Sequence, residues 1–197
     1  ASRLEDLLKE KHNDIGALLI EPIMGNCCSI AATQEYMNAV RSLCDQYNVV
    51  LIIDEVKTGF RVAKGGVQEL YGVEADLCTF AKSIANGYPI AAVCGKEELM
   101  RSIKYGGVLH GGTFTAHSVA ISAANKTLDI LQNTNALETV NQYGEDLRDG
   151  LSKILSKQNV PHCFTGHPSM SGLFLSESAP TNARDFKGSD YPFYEKL

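Results

Sequence analysis

The chain has 197 residues, a net charge of −5, and 44% hydrophobic against 21% charged residues, a globular composition with enough apolar side chain for a buried core. The acidic balance offers no basic stripe to a nucleic-acid backbone, and no run of about 18 apolar residues exists that would span a membrane. The first residues, ASRLEDLLKEKHNDIG, are charged and amphipathic, unlike a secretory signal. Cys27, Cys28, Cys44, Cys78, Cys94 and Cys163 are scattered without a CxxC pair, so reduced thiols in a cytoplasmic protein are expected, with no disulfide framework and no metal site. No initiator Met is present, the chain opens inside a helical pattern and it stops at DYPFYEKL without a closing element; a piece of a longer protein is expected.

In chain order, GALLIEP (16–22) is a short apolar run stopped by Pro22, which predicts a buried strand. A loop with Gly25 and the Cys27–Cys28 pair follows. Thr33 then precedes QEYMNAVRSLCDQY, where Met37, Val40, Leu43, Cys44 and Tyr47 recur at helical spacing, with Thr33 as N-cap. NVVLIIDE (48–55) is a nearly continuous apolar run of the kind found in central parallel strands covered on both faces. Strand, helix and strand in succession make a βαβ unit, so a parallel sheet with a right-handed crossover is predicted. VEADLCTFAK and PIAAVCG supply a third and a fourth strand, and GKEELMRSIKY a helix.

HGGTFTAHS reads as a glycine-led loop into the helix SVAISAANKTLDILQ. A longer amphipathic helix covers 136–157, with Leu137, Val140, Leu147, Leu151, Ile154 and Leu155 on its apolar side. After Pro161, HCFTGHPSMSGLFLSES predicts two short alternating strands, and the tail is rich in Pro, Gly, Ser and Asp. The change of texture predicts two domains, 1–133 and 134–197.

Three places carry candidate chemistry. Asp54 and Glu55 end the most apolar strand, and ligands of open α/β sheets bind beyond the carboxyl ends of strands. An acid there suits the magnesium site of a P-loop NTPase, but the GxxxxGK[ST] loop is missing, since Gly95-Lys96 is followed by Glu97. It also suits the carboxylate that keeps a pyridoxal-phosphate (PLP) pyridine nitrogen protonated, or a plain helix cap. Lys82 follows the apolar Leu-Cys-Thr-Phe-Ala; partial desolvation of such a lysine would lower its pKa and make it a nucleophilic amine. In GGTFTAHS (111–118), Gly111 and Gly112 permit close backbone approach, Thr113 and Thr115 offer hydroxyls, and the helix behind offers free amides to an anion.

Taken together, LIIDEVKTGFR (51–61), DLCTFAKSIANGYPIAAVCG (76–95) and HGGTFTAHSVAISAA (110–124) resemble the class III PLP-dependent aminotransferases, and most nearly the branch of the glutamate-1-semialdehyde aminomutases. EPIMGN (21–26) and HPSMSGLFLSESAPTNARDF fit the same pattern, the latter as the start of a C-terminal domain. The resemblance implies an α/β, PLP-dependent transferase fold of type I: part of a large domain with a mainly parallel sheet over 1–133, and the start of a small α+β domain over 134–197.

By the same resemblance, Lys82 is the Schiff-base lysine, Asp54 the partner of the pyridine nitrogen, Val56 the residue against one face of the ring, and Thr113 the threonine that reaches the cofactor phosphate from a neighbouring subunit. Glu21, Glu55 and Arg61 match structural motif positions, Arg61 through an ion pair or as a solvated surface residue. Where the family carries Gly-Asn-Pro after the threonine loop, this chain has Ala116-His117-Ser118, and His117 reads as a helix N-terminal surface residue in preference to a catalytic base. The N-terminal part that supplies the phosphate cup and the ring-stacking aromatic has no counterpart here.

The expected activity is amino-group transfer on a small amino or keto substrate, as an aminotransferase or an aminomutase, by a homodimer. Loss of the phosphate cup predicts weak or no turnover. The competing expectation is a remnant that folds or oligomerises without catalysing anything.

Overall fold

The computed structural model describes residues 1–105 and 107–187, apart from the side chains of residues 104, 105, 186 and 187; the tail 188–197 lies outside the described residues. The elements in order are α1 (Ser2–Lys11), β1 (Ala17–Ile20), β2 (Ile23–Met24), β3 (Ile30–Ala31), α2 (Gln34–Tyr47), β4 (Val50–Asp54), α3 (Gly66–Tyr71), β5 (Leu77–Phe80), β6 (Ala92–Gly95), α4 (Glu97–Tyr105), α5 (Ser118–Asn133), α6 (Ala136–Lys157), β7 (Cys163–His167), β8 (Met170–Phe174) and α7 (Ala183–Lys187). Two 3-10 turns, His12–Asp14 and Lys82–Ile84, interrupt the series. The chain divides into two units: Ala1–Pro22 with Ala32–Thr134, and Ile23–Ala31 with the residues from Asn135 onward.

The first unit is built on a four-stranded sheet of order β1-β4-β5-β6. β1, β4 and β5 run parallel, in the registers Ala17↔Val50 to Ile20↔Ile53 and Ile52↔Leu77 to Asp54↔Thr79. β6 is antiparallel to β5, from Leu77↔Gly95 to Phe80↔Ala92. The sheet is therefore mainly parallel, with one reversed strand. The link from β5 to β6 holds only a 3-10 turn and a loop, too little chain for the helical crossover that a parallel partner needs.

Along β4, Leu51 and Ile53 are fully buried while Val50, Ile52 and Asp54 are half-buried. The expected cover on both faces is thus complete on one and partial on the other. α2 starts as predicted: the Tyr36 amide donates to Thr33 Oγ1 at 3.2 Å, which satisfies one of the free amides of the first turn. Its apolar stripe of Met37, Val40, Leu43 and Cys44 is buried, and Asn48 ends it in the left-handed conformation at φ 54, which asparagine tolerates.

Asp76, just ahead of β5, ties this unit together. Its carboxylate accepts the Leu51 amide at 2.7 Å and Arg41 Nη1 at 3.1 Å, and pairs with Lys96 Nζ at 2.6 Å. α2, β4 and the link between β6 and α4 meet on one carboxylate.

In the second unit, β7 and β8 form an antiparallel hairpin from Cys163↔Phe174 to His167↔Met170, the two short strands predicted after Pro161. α6 lies against it: Arg148 donates to the carbonyls of Thr165 at 2.9 Å and Gly166 at 3.0 Å and to Ser171 Oγ at 2.6 Å. A Cβ on Gly144 would run into the Pro168 backbone, so only glycine permits that approach. β2 and β3 pair antiparallel within this unit, and the Cys28 carbonyl accepts the Thr165 hydroxyl. The predicted apolar side of α6 is only partly covered: Leu137 is buried, whereas Val140, Leu147 and Ile154 are exposed among the described residues.

Candidate active site at the carboxyl ends of the strands

Because β1, β4 and β5 run parallel and in register, their carboxyl ends line up along one margin of the sheet. Glu21 follows β1, Asp54 closes β4, and Lys82 comes two residues after Phe80, the end of β5. That is the margin where open α/β sheets bind ligands.

Asp54 is half-buried. Its Oδ1 accepts the Val56 amide at 2.8 Å and the Thr79 hydroxyl at 3.2 Å. No described residue donates to its Oδ2. One oxygen is fixed and the other is available. Such a carboxylate can accept one further donor from outside the strand ends.

Glu55, its neighbour, is fully buried and faces inward. It accepts the Thr58 hydroxyl at 2.6 Å, the Val67 amide at 3.1 Å and the Gln68 amide at 3.2 Å. These bonds satisfy the buried charge and fasten the 56–65 loop to the start of α3. Half-buried Val56 begins that loop. Arg61 Nη1 donates to the Lys57 carbonyl at 2.9 Å, and burial lowers the Arg61 pKa. Phe60, at φ 62, packs its ring 5.2 Å from that of Phe80, and a Cβ on Gly59 would lie 2.6 Å from Phe80.

Lys82 departs from its expected environment. It is exposed, and no described residue pairs with its ammonium. The apolar residues that precede it belong to β5, where they alternate between the two faces of the sheet; Lys82 lies beyond the strand, in the 3-10 turn. Sequence neighbours therefore do not wall it in. It also adopts φ +46, a left-handed conformation that costs a non-glycine residue about 1–2 kcal/mol.

Thr113 is exposed, on the turn that leads to α5, and its hydroxyl bonds no described residue. The turn is closed by the Thr115 amide on the Gly112 carbonyl at 3.0 Å and the His117 amide on the Phe114 carbonyl at 3.2 Å, with Ala116 at φ 57. His117 is the N-cap of α5: its Nδ1 accepts the Ala120 amide at 3.3 Å. α5 packs against the 3-10 turn that carries Lys82.

The structure thus gathers Asp54, Val56 and Lys82 at one sheet margin and sets Thr113 on a separate exposed turn. Thr79, which completes the setting of Asp54, was not singled out from the sequence; only its register opposite Asp54 identifies it. A groove of about 450 Å³ lined by Arg41, Asp45, Glu74 and Lys96 opens at the other, amino-terminal end of the strands. Arg41 is paired with Asp45 and Asp76, and Lys96 with Asp76, so the strand-end chemistry, not groove size, marks the candidate site.

Residues 1–188 match the family described as aminotransferase class-III. Over 192 residues the chain is 39% identical to a glutamate-1-semialdehyde 2,1-aminomutase of Clostridium botulinum, covering 96% of this chain and 45% of that protein. A Sulfurisphaera tokodaii protein of the same name is 37% identical over 95% of this chain and 46% of its own length. The chain therefore spans about half the length of these relatives. Among solved structures, an omega-transaminase from Sphaerobacter thermophilus superposes with a TM-score of 0.86 at 29% identity, over 93% of this chain and 42% of that one. A glutamate-1-semialdehyde aminomutase from Pseudomonas aeruginosa, in complex with PMP, shares the fold with a TM-score of 0.80 at 24% identity, over 94% of this chain and 43% of its own.

Proposed function

The chain belongs to the class III aminotransferases, and from that premise we propose that it carries the lysine-and-carboxylate half of a PLP-dependent amino-group-transfer site. Its α/β fold, with a mainly parallel sheet, is the fold type I of PLP-dependent transaminases, and class III aminotransferases use pyridoxal 5'-phosphate. The observation that carries the proposal is the pairing of an ionisable carboxylate, Asp54, with an unpaired amine, Lys82, at the carboxyl ends of adjacent parallel strands.

The residues fit the cofactor. Asp54 keeps one oxygen free and would hold the pyridine nitrogen of the cofactor. Lys82 Nζ, open to its surroundings, would be the amine that holds the cofactor and that carries a proton off and onto the substrate carbon. Bound PLP would supply an electron sink. Val56 would pack on one ring face. Thr113, exposed on its turn, reaches the phosphate of a second copy, which makes the working form a homodimer.

The substrate is a small amino or keto compound of the glutamate-1-semialdehyde kind. Both an aminotransferase and an aminomutase outcome use these same groups. Six free thiols suit a cytoplasmic location, and among the described residues no helix is long and apolar enough to cross a membrane.

The exposure of Lys82 favours a second reading, in which the chain folds or oligomerises without turnover. Mixing the chain with PLP, reducing with borohydride and mapping the modified lysine separates the two. Selective labelling of Lys82 supports the first reading; scattered labelling, or none, supports the second.

A further inference from the structure

The two oxygens of Asp54 are not equivalent. Oδ1 takes both donors, the Val56 amide at 2.8 Å and Thr79 Oγ1 at 3.2 Å, and Oδ2 takes none from the described residues. The Val56 bond is local, two residues along the chain, and by itself it would leave the carboxylate free to turn. The Thr79 bond comes from the neighbouring strand, where Thr79 is the register partner of Asp54. Register partners on parallel strands point to the same sheet face, and the branched Cβ of threonine restricts its rotamers. The hydroxyl is thus held against Oδ1 by the sheet itself.

We infer that Thr79 is a positioning residue: with the Val56 amide it locks Oδ1 of Asp54, so that Oδ2 is presented to the ring nitrogen of the cofactor. The inference rests on the reading of Asp54 given above. It also makes β5 the spacer of the site. Thr79 lies on β5 and Lys82 three residues later, in the 3-10 turn that follows the strand, so a change in β5 register would move both together.

The test compares the chain with Thr79→Val, which keeps the branched shape and removes the hydroxyl, with Thr79→Ser, which keeps the hydroxyl, and with Asp54→Asn. Two readouts are followed: the dissociation constant for PLP from its absorbance change, and the 15N NMR shift of the ring nitrogen of labelled PLP, which reports whether a carboxylate faces it. Thr79→Val is expected to weaken PLP binding about tenfold and to shift the bound ring-nitrogen signal toward that of free PLP, and Thr79→Ser to restore both. A merely structural loss weakens binding without moving that signal. An unchanged dissociation constant and signal in Thr79→Val, or a change that Thr79→Ser fails to restore, overturns the assignment. If Asp54→Asn binds PLP as the parent chain does, the reading of Asp54 fails. If Asp54→Asn weakens binding while Thr79→Val changes neither readout, the inference about Thr79 fails alone.

Discussion

The carboxylate of Glu55 occupies the space that a Cβ on Gly66 would need, and Gly66 stands at φ +67. The two residues form a latch: a fully buried charge accepts amides at the start of α3, and the chain reaches it only through a glycine in left-handed conformation. Gly66→Ala meets the backbone penalty and the clash at once, and is expected to cost about 3 kcal/mol of stability. Glu55→Gln turns an NH2 toward a cluster of donors and is expected to cost about 2 kcal/mol. Urea unfolding of both variants checks this; a loss below about 0.5 kcal/mol in each would remove the latch as a feature of the fold.

The φ of +46 at Lys82 predicts an inverted order of substitutions. Glycine is ordinarily the less stable choice outside turns, but at a left-handed position it avoids the steric cost that alanine bears. Lys82→Gly is expected to be more stable than Lys82→Ala by about 1 kcal/mol, and neither should take a borohydride label at this position. Thermal melting of the pair gives the comparison, and equal stabilities would mean the turn relaxes in solution.

What the sequence made legible follows from period and punctuation. The apolar runs at 17–20 and 50–54 and the Thr33 N-cap fall where their patterns predict, because helical spacing and strand runs are local properties, although β1, at the end of the described sheet, leaves Ala17 and Leu19 exposed where a buried strand is expected. The helix over 136–157 is recovered end to end, although its apolar stripe is less covered than its spacing implies. Short-range patterns say nothing of partners. The two-residue strands β2 and β3 have no period to detect, so their membership in the second unit was invisible, as was α3, six residues behind paired glycines. Asp76 and Thr79 owe their importance to register across strands. Lys82 shows the reverse case: its apolar neighbours in sequence are not its neighbours in space, and it stands exposed.

Asp76 gives the fold an acid limit. Burial pushes its pKa up, but hydrogen bonds from Lys96, the Leu51 amide and Arg41 outweigh that and hold it below the ordinary aspartate value. A carboxylate whose folded pKa is depressed contributes stability above its unfolded pKa, about 3.9, and loses it as pH falls through the lower folded value. The melting temperature of the chain is therefore expected to fall below about pH 4, and Asp76→Asn to lower it at pH 7 while flattening that acid dependence. Parallel acid slopes in the two proteins would assign the limit to other groups.

The departure at Ala116-His117-Ser118 has a structural answer. His117 caps α5 through Nδ1, with its ring edge toward Phe114 at 6.2 Å between centroids. Only an unprotonated imidazole nitrogen can accept that amide. Asparagine is a preferred N-cap with the same acceptor role, so His117→Asn is expected to hold α5 and its turn as firmly as the parent. His117→Ala leaves the Ala120 amide without its acceptor and is expected to cost about 1 kcal/mol, with faster proteolytic cleavage in the 107–116 segment that carries Thr113. Cleavage rates measured on the three proteins decide it: if alanine and asparagine cut alike, the cap does not order the threonine turn.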